Sequence, residues 1–209
     1  MIPDNEAEAR SFTQKFVDDA TLERLDAFAH HLAAENTQQN LVAAGSLDHV
    51  WQRHFADSLQ LLEYVPRGTG IWLDLGTGAG FPGLLIACAQ RDREVVLVES
   101  RKRRVEWLER SAGMLQLSNV RVIGSRLESA ASFPAAVISA RAFAPLDRLL
   151  ALSGRFSTAD TVWLLPKGRS AGQELLQQGS AIQRMFHVEQ SHTDPEAGIL
   201  VGRGVPSGL

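Results

Sequence analysis

The stretch Ile71-Trp-Leu-Asp-Leu-Gly-Thr-Gly-Ala-Gly-Phe-Pro-Gly83 decides how this chain is read. The apolar residues around Asp74 predict a buried strand that stops at Gly76. Glycines at 76, 78, 80 and 83 then allow the backbone to turn sharply and to come close to a ligand. Pro82 suits the first turn of a helix, because the N–H it lacks would have found no partner there. Strand, glycine turn and helix start together predict a nucleotide-type site at the carboxyl edge of a parallel sheet.

Two acids narrow the ligand. Asp74 lies inside the strand end, where an unpartnered carboxylate is costly to bury. It therefore needs turn amides or a cationic ligand. Glu94-Val-Val-Leu-Val-Glu99 predicts a second strand ending in an acid, about twenty residues past the glycines, as a ribose-binding carboxylate requires. Glu99 is expected to accept both ribose hydroxyls; the plainer alternative is a solvated strand end. A pyrophosphate needs free amides at the helix start, yet Pro82 removes one and Asp74 would repel phosphate. S-adenosylmethionine has no phosphate and carries a sulfonium and an ammonium, which favours the methyl donor. Gly76, Gly78 and Gly80 are then expected against its methionine part, where a side chain would take up its space.

The rest of the chain fits an α/β reading. Leu22, Leu25, Phe28, Ala29 and Leu32 share one face at helical spacing, and Phe12 and Phe16 suggest a shorter helix before them. A further amphipathic segment is expected over 47–64, with a break at Pro66, Gly68 and Gly70. Lys102 to Leu115 reads as a helix with Val105, Leu108 and Leu115 inward. Val120–Ile123, 136–139 and 161–165 read as strands three to five. Alternation of this kind predicts right-handed crossovers and a parallel sheet with helices on both faces. Phe186-His-Val-Glu189 and Gly198-Ile-Leu-Val201 read as a terminal antiparallel pair, with a frayed end after Gly202.

The run Leu73-Asp-Leu-Gly-Thr-Gly-Ala-Gly-Phe-Pro-Gly-Leu84 resembles the first motif of the RsmG (GidB) family, bacterial methyltransferases of guanine N7 in 16S ribosomal RNA. Further matches follow in order. They are Asn40-Leu41, Arg53-His54 with Asp57-Ser58, Glu99-Ser100 with Lys102-Arg103, Ser125-Arg-Leu-Glu128, Ser139-Ala-Arg-Ala-Phe143 and Pro166-Lys-Gly168. The glycine motif alone says methyltransferase; the Arg-His-x-x-Asp-Ser and Ala-Arg-Ala-Phe elements narrow it to this family. Two positions depart from the family's habit: Glu35-Asn36 stands where Trp-Asn is common, and Ala135-Ala136 where the fourth strand often starts with an acid.

The resemblance implies a class I methyltransferase fold: a Rossmann-like α/β sheet, mostly parallel with a terminal antiparallel strand, helices on both faces and an N-terminal helical extension. It implies S-adenosyl-L-methionine as cofactor and 16S rRNA or the small ribosomal subunit as partner, with guanosine 527 as target. It also places Phe81 at the cofactor, though a core aromatic is the alternative, and has Leu127 and Glu128 flank the adenine. Arg141 is assigned by its family counterpart to the cofactor site. A cation beside a sulfonium is unfavourable, so Arg141 is expected to bond a carboxylate, the donor's own or a protein acid; a surface arginine reaching RNA phosphate is the alternative. Arg53, His54 and Asp57 are spaced to share a helix face, either as a structural ion pair or near the cofactor mouth. Phe143, or the Arg141 guanidinium, is the candidate to stack on a splayed-out base.

Composition bounds these readings. The 209 residues suit one domain, 1–209, with a helical extension over 1–65 and a donor-binding core over 66–209. A hydrophobic fraction of 44% and a charged fraction of 22% are those of a globular protein. No apolar run reaches bilayer length, and the amino terminus lacks the basic and apolar regions of a secretory signal. A cytoplasmic protein without a membrane partner is expected. Cys88, the one cysteine, reads as a buried thiol. The histidines show no metal-ligand spacing, so no metal is expected, and a monomer is the default. The net charge of −3 requires any RNA-facing basic surface to be local. Its candidates are Arg101-Lys-Arg-Arg104 with Arg53, His54, Arg141, Lys167 and Arg169. A small-molecule or protein methyltransferase, and a non-catalytic donor-binding ribosome-assembly factor, remain the competing readings. No general base is expected, because guanine N7 offers a lone pair without a proton to remove.

Overall fold

The computed structural model describes residues 3, 5–65, 68 and 70–208. Pro66, one of the residues of the expected break, lies outside the described residues. Seven strands form one sheet in the order β3-β2-β1-β4-β5-β7-β6. β1 (Trp72–Leu75), β2 (Val95–Val98), β3 (Val120–Ile123), β4 (Val137–Ala140) and β5 (Val162–Gly168) pair in parallel. β7 (Gly198–Arg203) inserts antiparallel between β5 and β6 (Phe186–Gln190). β1, β2 and β4 are buried at every position, as strands covered on both faces must be. The chain leaves β1 toward β2 on one side and reaches β4 on the other. The carboxyl ends of β1 and β4 therefore flank the switch point where such sheets open a crevice.

One face of the sheet carries the amino-terminal helices. α1 (Glu6–Thr13) starts at Asn5, whose side chain accepts from Glu8 N, and α2 (Asp19–Asn36) starts at Asp18, which accepts from Thr21 N. The expected face of α2 is buried at Leu22, Leu25, Phe28 and Leu32 and half-buried at Ala29. Phe28 stacks between Phe55 and Trp107. These rings share a core with Trp72 of β1, with Leu84 and Leu85 of α4 (Gly83–Ala89), and with α5 (Lys102–Met114). The opposite face is covered by α6 (Leu146–Ser153) with Phe156, Trp163 and Phe186. α7 (Ala171–Leu176) and α8 (Ser180–Met185) connect β5 to β6.

Two expectations need correction. The segment 47–64 is not one amphipathic helix. A 3-10 turn at Ala44–His49 gives way to a π-helical turn at Trp51–Ala56, then α3 (Asp57–Leu59) and a second 3-10 turn at Gln60–Tyr64. Side chains stabilise the widened turn: the Glu6 carboxylate accepts N–H bonds from Trp51 and Gln52 (both 2.9 Å), and Ser58 Oγ donates to the His54 carbonyl (2.5 Å). Secondly, the chain after Gly202 does not fray at once. Gly204 N donates to Thr161 O and Gly204 O accepts from the Trp163 indole, both at 2.9 Å. Pro82 stands at the start of α4 as expected: its backbone is helical (φ −84, ψ −12) and its carbonyl accepts from Ile86 N at 3.1 Å.

Trp107 was absent from the expected inward face of α5, yet it is fully buried. Its indole Nε1 donates to Ala79 O at 2.9 Å and so ties the glycine turn to α5. Leu108 and Leu115 are buried as expected, and Val105 half so.

Candidate active site

Two clefts open at the switch point, one of about 440 Å³ and one of about 770 Å³, and Phe143-Ala144-Pro145 forms a wall common to both. That wall leaves β4 through Arg141 and Ala142. Ala142 has φ 52, a left-handed conformation uncommon for a residue with a Cβ.

The smaller cleft lies over Gly76, Val98 and Glu99 and is closed by Leu127, Glu128 and Leu152. Glu99 is buried at the end of β2. Its Oε1 accepts from Ser100 N (2.8 Å) and Arg101 N (2.9 Å); its Oε2 accepts from Gly78 N (3.2 Å) and faces Arg104 Nη1 at 3.8 Å. Three backbone N–H groups thus share the two Glu99 carboxylate oxygens. The acid is thereby held in place by the loop it serves. Leu127 is buried and Glu128 exposed, both on the cleft wall, and the Leu127 carbonyl accepts from Arg155.

Asp74 does not face either cleft. It is fully buried on the side of the sheet that carries α4. Its Oδ2 accepts from Gly83 N at 3.1 Å, and Oδ1 from Ser139 Oγ at 2.7 Å, while that hydroxyl in turn accepts from the Trp72 indole at 2.8 Å. Burial raises its carboxyl pKa to about 6 despite these bonds. The strand's period-2 alternation turns Asp74 inward with Trp72, where turn amide and hydroxyl donors partner it and it braces the start of α4.

The glycines and Phe81 are placed similarly. Of Gly76, Gly78 and Gly80, only Gly76 borders a cleft. A Cβ on Gly80 would sit 2.3 Å from Leu84 Cδ1, so its missing side chain makes room for α4. Phe81 is buried against Phe28, Phe55 and His54.

The larger cleft gathers residues from five parts of the chain. Arg53, His54 and Asp57 come from the π-turn and α3, Arg141 from the end of β4, Lys167 from β5, Glu174 from α7 and Asp194 from the β6–β7 loop. Every cation is paired: Arg53 with Asp194 (3.2 Å), Arg141 with Asp57 (3.4 Å), Lys167 with Glu174 (2.8 Å). His54 is neutral, because burial first and then Arg141 and Arg53 push its pKa down to about 3. Three cations face three carboxylates, and the cleft is charge-balanced. Lys167 Nζ also donates to Ala144 O (3.1 Å), fastening the common wall.

The remaining candidates sit elsewhere. Arg169 is exposed and paired with Glu196. Arg101 caps α5 and, like the rest of the 101–104 run, borders neither cleft. Arg103 and Arg104 instead donate to the carbonyls of Gln38 and Asn40. At the departures from family habit, Glu35 pairs with Arg110 (3.0 Å), and Asn36 Oδ1 accepts from Leu41 N and Val42 N (both 2.9 Å), which shapes the loop leading to the larger cleft. Burial raises the Cys88 thiol to about 12, so it stays protonated near neutrality. Among the described residues no group of three or more His, Cys, Asp or Glu side chains is arranged to hold a metal ion, and no helix is long and apolar enough to cross a membrane. Sequence reasoning missed Ser46, Glu174 and Asp194, each brought in from an unremarked loop or helix; nothing in their residue types signals it.

Comparisons with known proteins bear on the fold and on the family. The chain is similar in structure to an O-methyltransferase-like protein of Klebsiella pneumoniae, with a TM-score of 0.57 at 14% identity over 85% of this chain and 90% of that one. A mutant of MtNAS crystallised with S-adenosylmethionine matches with a TM-score of 0.56 at 16% identity, over 84% of this chain and 73% of that one. Both likenesses establish the fold. In sequence, the ribosomal RNA small subunit methyltransferase G of Erythrobacter litoralis is 57% identical over 199 residues, covering 95% of this chain and 96% of the relative. That of Novosphingobium aromaticivorans is 60% identical over 203 residues, covering 95% and 88%. The family described as rRNA small subunit methyltransferase G (GidB) matches residues 21–196, and the chain belongs to it.

Proposed function

We propose that this protein transfers a methyl group from S-adenosylmethionine to N7 of a guanine in 16S ribosomal RNA, acting as a cytoplasmic monomer on the small ribosomal subunit. The observation that carries the reading is the pair of clefts divided by Phe143-Ala144-Pro145 at the sheet's switch point. The smaller one suits the donor: a buried acid for a ribose hydroxyl, a glycine floor, and apolar Val98, Leu127 and Leu152 for a flat ring. When bound, the donor supplies an electrophilic methyl carried on a sulfonium. The larger cleft suits the acceptor. A charge-balanced lining favours an uncharged base over a phosphate and leaves phosphate contacts to outlying cations such as Arg101.

Guanine N7 attacks through an in-plane lone pair, and no side chain has to remove a proton. The protein's work is positioning: the reacting atoms must come within about 3–3.5 Å of one another, at the edge of the common wall and not through it. Phe143 offers a half-buried ring at that wall for stacking on an extruded base. Positive charge passes from sulfur to base in the transfer, and Asp57 and Glu174 line the cleft in which the charged product forms.

The test uses purified protein, labelled S-adenosylmethionine and small subunits from a strain lacking the gene. One N7-methylguanosine mapped by mass in 16S RNA is the expected product. Donor binding without RNA methylation rejects the assignment and moves a small-molecule acceptor, or a non-catalytic assembly role, to the front.

A further inference from the structure

We propose that His54 is a positioning residue: as a neutral imidazole accepting from Arg141, it sets the direction of the Arg141 guanidinium in the larger cleft. The inference rests on the reading of that cleft as the acceptor site.

The hydrogen bonds leave one consistent assignment of protons. Arg141 is permanently charged and donates only. Its Nη2 lies 3.2 Å from His54 Nδ1, so Nδ1 carries the lone pair and Nε2 the proton. Nε2–H then donates to Ser46 Oγ (2.8 Å), and the Ser46 hydroxyl donates to Ala43 O (2.7 Å). On the other side, Arg141 Nη1 donates to Arg53 O (3.2 Å) and Asp57 Oδ2 (3.4 Å). Asp57 is itself held through Oδ1 by Thr193 Oγ1 and Gln60 Nε2, both at 2.8 Å.

This arrangement uses three of the five guanidinium N–H groups. Nε–H and one N–H on Nη2 remain, two donors on one planar group that lines the cleft. Phe81 is the floor beneath both partners: His54 stacks on it at 5.1 Å with the ring planes 4° apart, and the Arg141 guanidinium lies over the same ring at 5.3 Å. A protonated imidazole would set N–H against N–H at Nδ1 and add a third cation beside Arg141 and Arg53. An apolar residue at 54 would leave Nη2 without its acceptor and free the guanidinium to swing.

His54→Phe keeps an aromatic ring over Phe81 and removes the acceptor. His54→Asn restores an acceptor, Oδ1, near the place of Nδ1. With small subunits as substrate, H54F is expected to lower kcat/KM about 10- to 100-fold, as a misplaced group does. H54N recovers most of that loss, and H54F adds no further loss in an Arg141→Ala background. Thermal melting checks that each variant folds. Full activity in H54F, an H54N as weak as H54F, or an equal loss in the Arg141→Ala background would overturn the proposal. An inactive wild-type protein rejects the functional reading separately. Imidazole 15N shifts decide the proton assignment without any substrate: the Nε2–H tautomer is expected near neutral pH, and an Nδ1–H or doubly protonated ring sinks the inference.

Discussion

The ring of Phe143 occupies the space that Gly76 leaves open: a Cβ at position 76 would lie 2.4 Å from Phe143 Cδ2. Gly76 also has φ +61, where a side chain is strained. The end of β1 and the segment after β4 are thus fitted to one another at the wall between the clefts. Gly76→Ala is expected to lose about 1–3 kcal/mol of stability from backbone strain. Phe143 must also be displaced, and methylation should fall further than that stability loss explains. Denaturant melts beside turnover assays measure both, and an active, fully stable variant would contradict this account.

Phe143→Ala tests the wall from the other side. The ring borders both clefts but belongs to no charged network. Methyl transfer is expected to drop by at least tenfold while S-adenosylhomocysteine affinity, read by calorimetry, changes much less. Equal losses in the two would show that the ring serves the donor and not the base.

Glu99→Gln should weaken donor binding and loosen the turn together. The amide would present N–H to at least one of the backbone N–H groups that Glu99 now accepts from Gly78, Ser100 and Arg101. Charge-assisted bonds of this kind are worth about 1.5–3 kcal/mol each, so roughly a tenfold or greater rise in donor Kd is expected by calorimetry.

Stability should depend on pH through His54. The unfolded chain takes up this proton near 6.5 and the folded protein only near 3. Between those values the unfolded state binds more protons, so stability contributed here is complete above about 6.5 and is lost as pH falls. Asp74 works in the opposite sense between 3.8 and about 6, because its folded carboxyl takes its proton first. The two are separated by subtraction: from pH 7 to about pH 5, H54F should gain about 2 kcal/mol relative to the parent protein. A constant difference across that range would contradict a buried neutral imidazole.

We further propose that residues 1–209 unfold as one unit. Phe28 and Phe55 share their core with Trp72 and Trp107, so the amino-terminal helices have no separate interior. Helix content and tryptophan fluorescence should give one coincident transition; an earlier melt of the helical extension would separate it from the sheet.

Much of this architecture is legible in the residues themselves. The strand at 72–75, the glycine turn, the acid ending the second strand and the alternation that follows are local patterns, and local patterns register backbone periodicity and turn chemistry directly. The family resemblance rests on the same segments. Boundaries were less legible: the helical reading of 47–64 could not show that Glu6 and Ser58 would open a π-turn at Trp51–Ala56.

The direction of each side chain was decided only in three dimensions. A strand buried on both faces offers no polarity contrast to tell which way Asp74 points, and here Gly83 and Ser139 claim it. Phe81 has the composition of a contact residue and of a core residue alike; only the tertiary structure shows it packed against Phe28 and Phe55. The sequence by itself determined the strand–turn–helix that makes a switch-point crevice, because those constraints act between neighbours in the chain. The tertiary structure decided that His54 and Arg141, 87 positions apart, meet over Phe81, because that contact depends on how a π-turn and the end of β4 are brought together across the core.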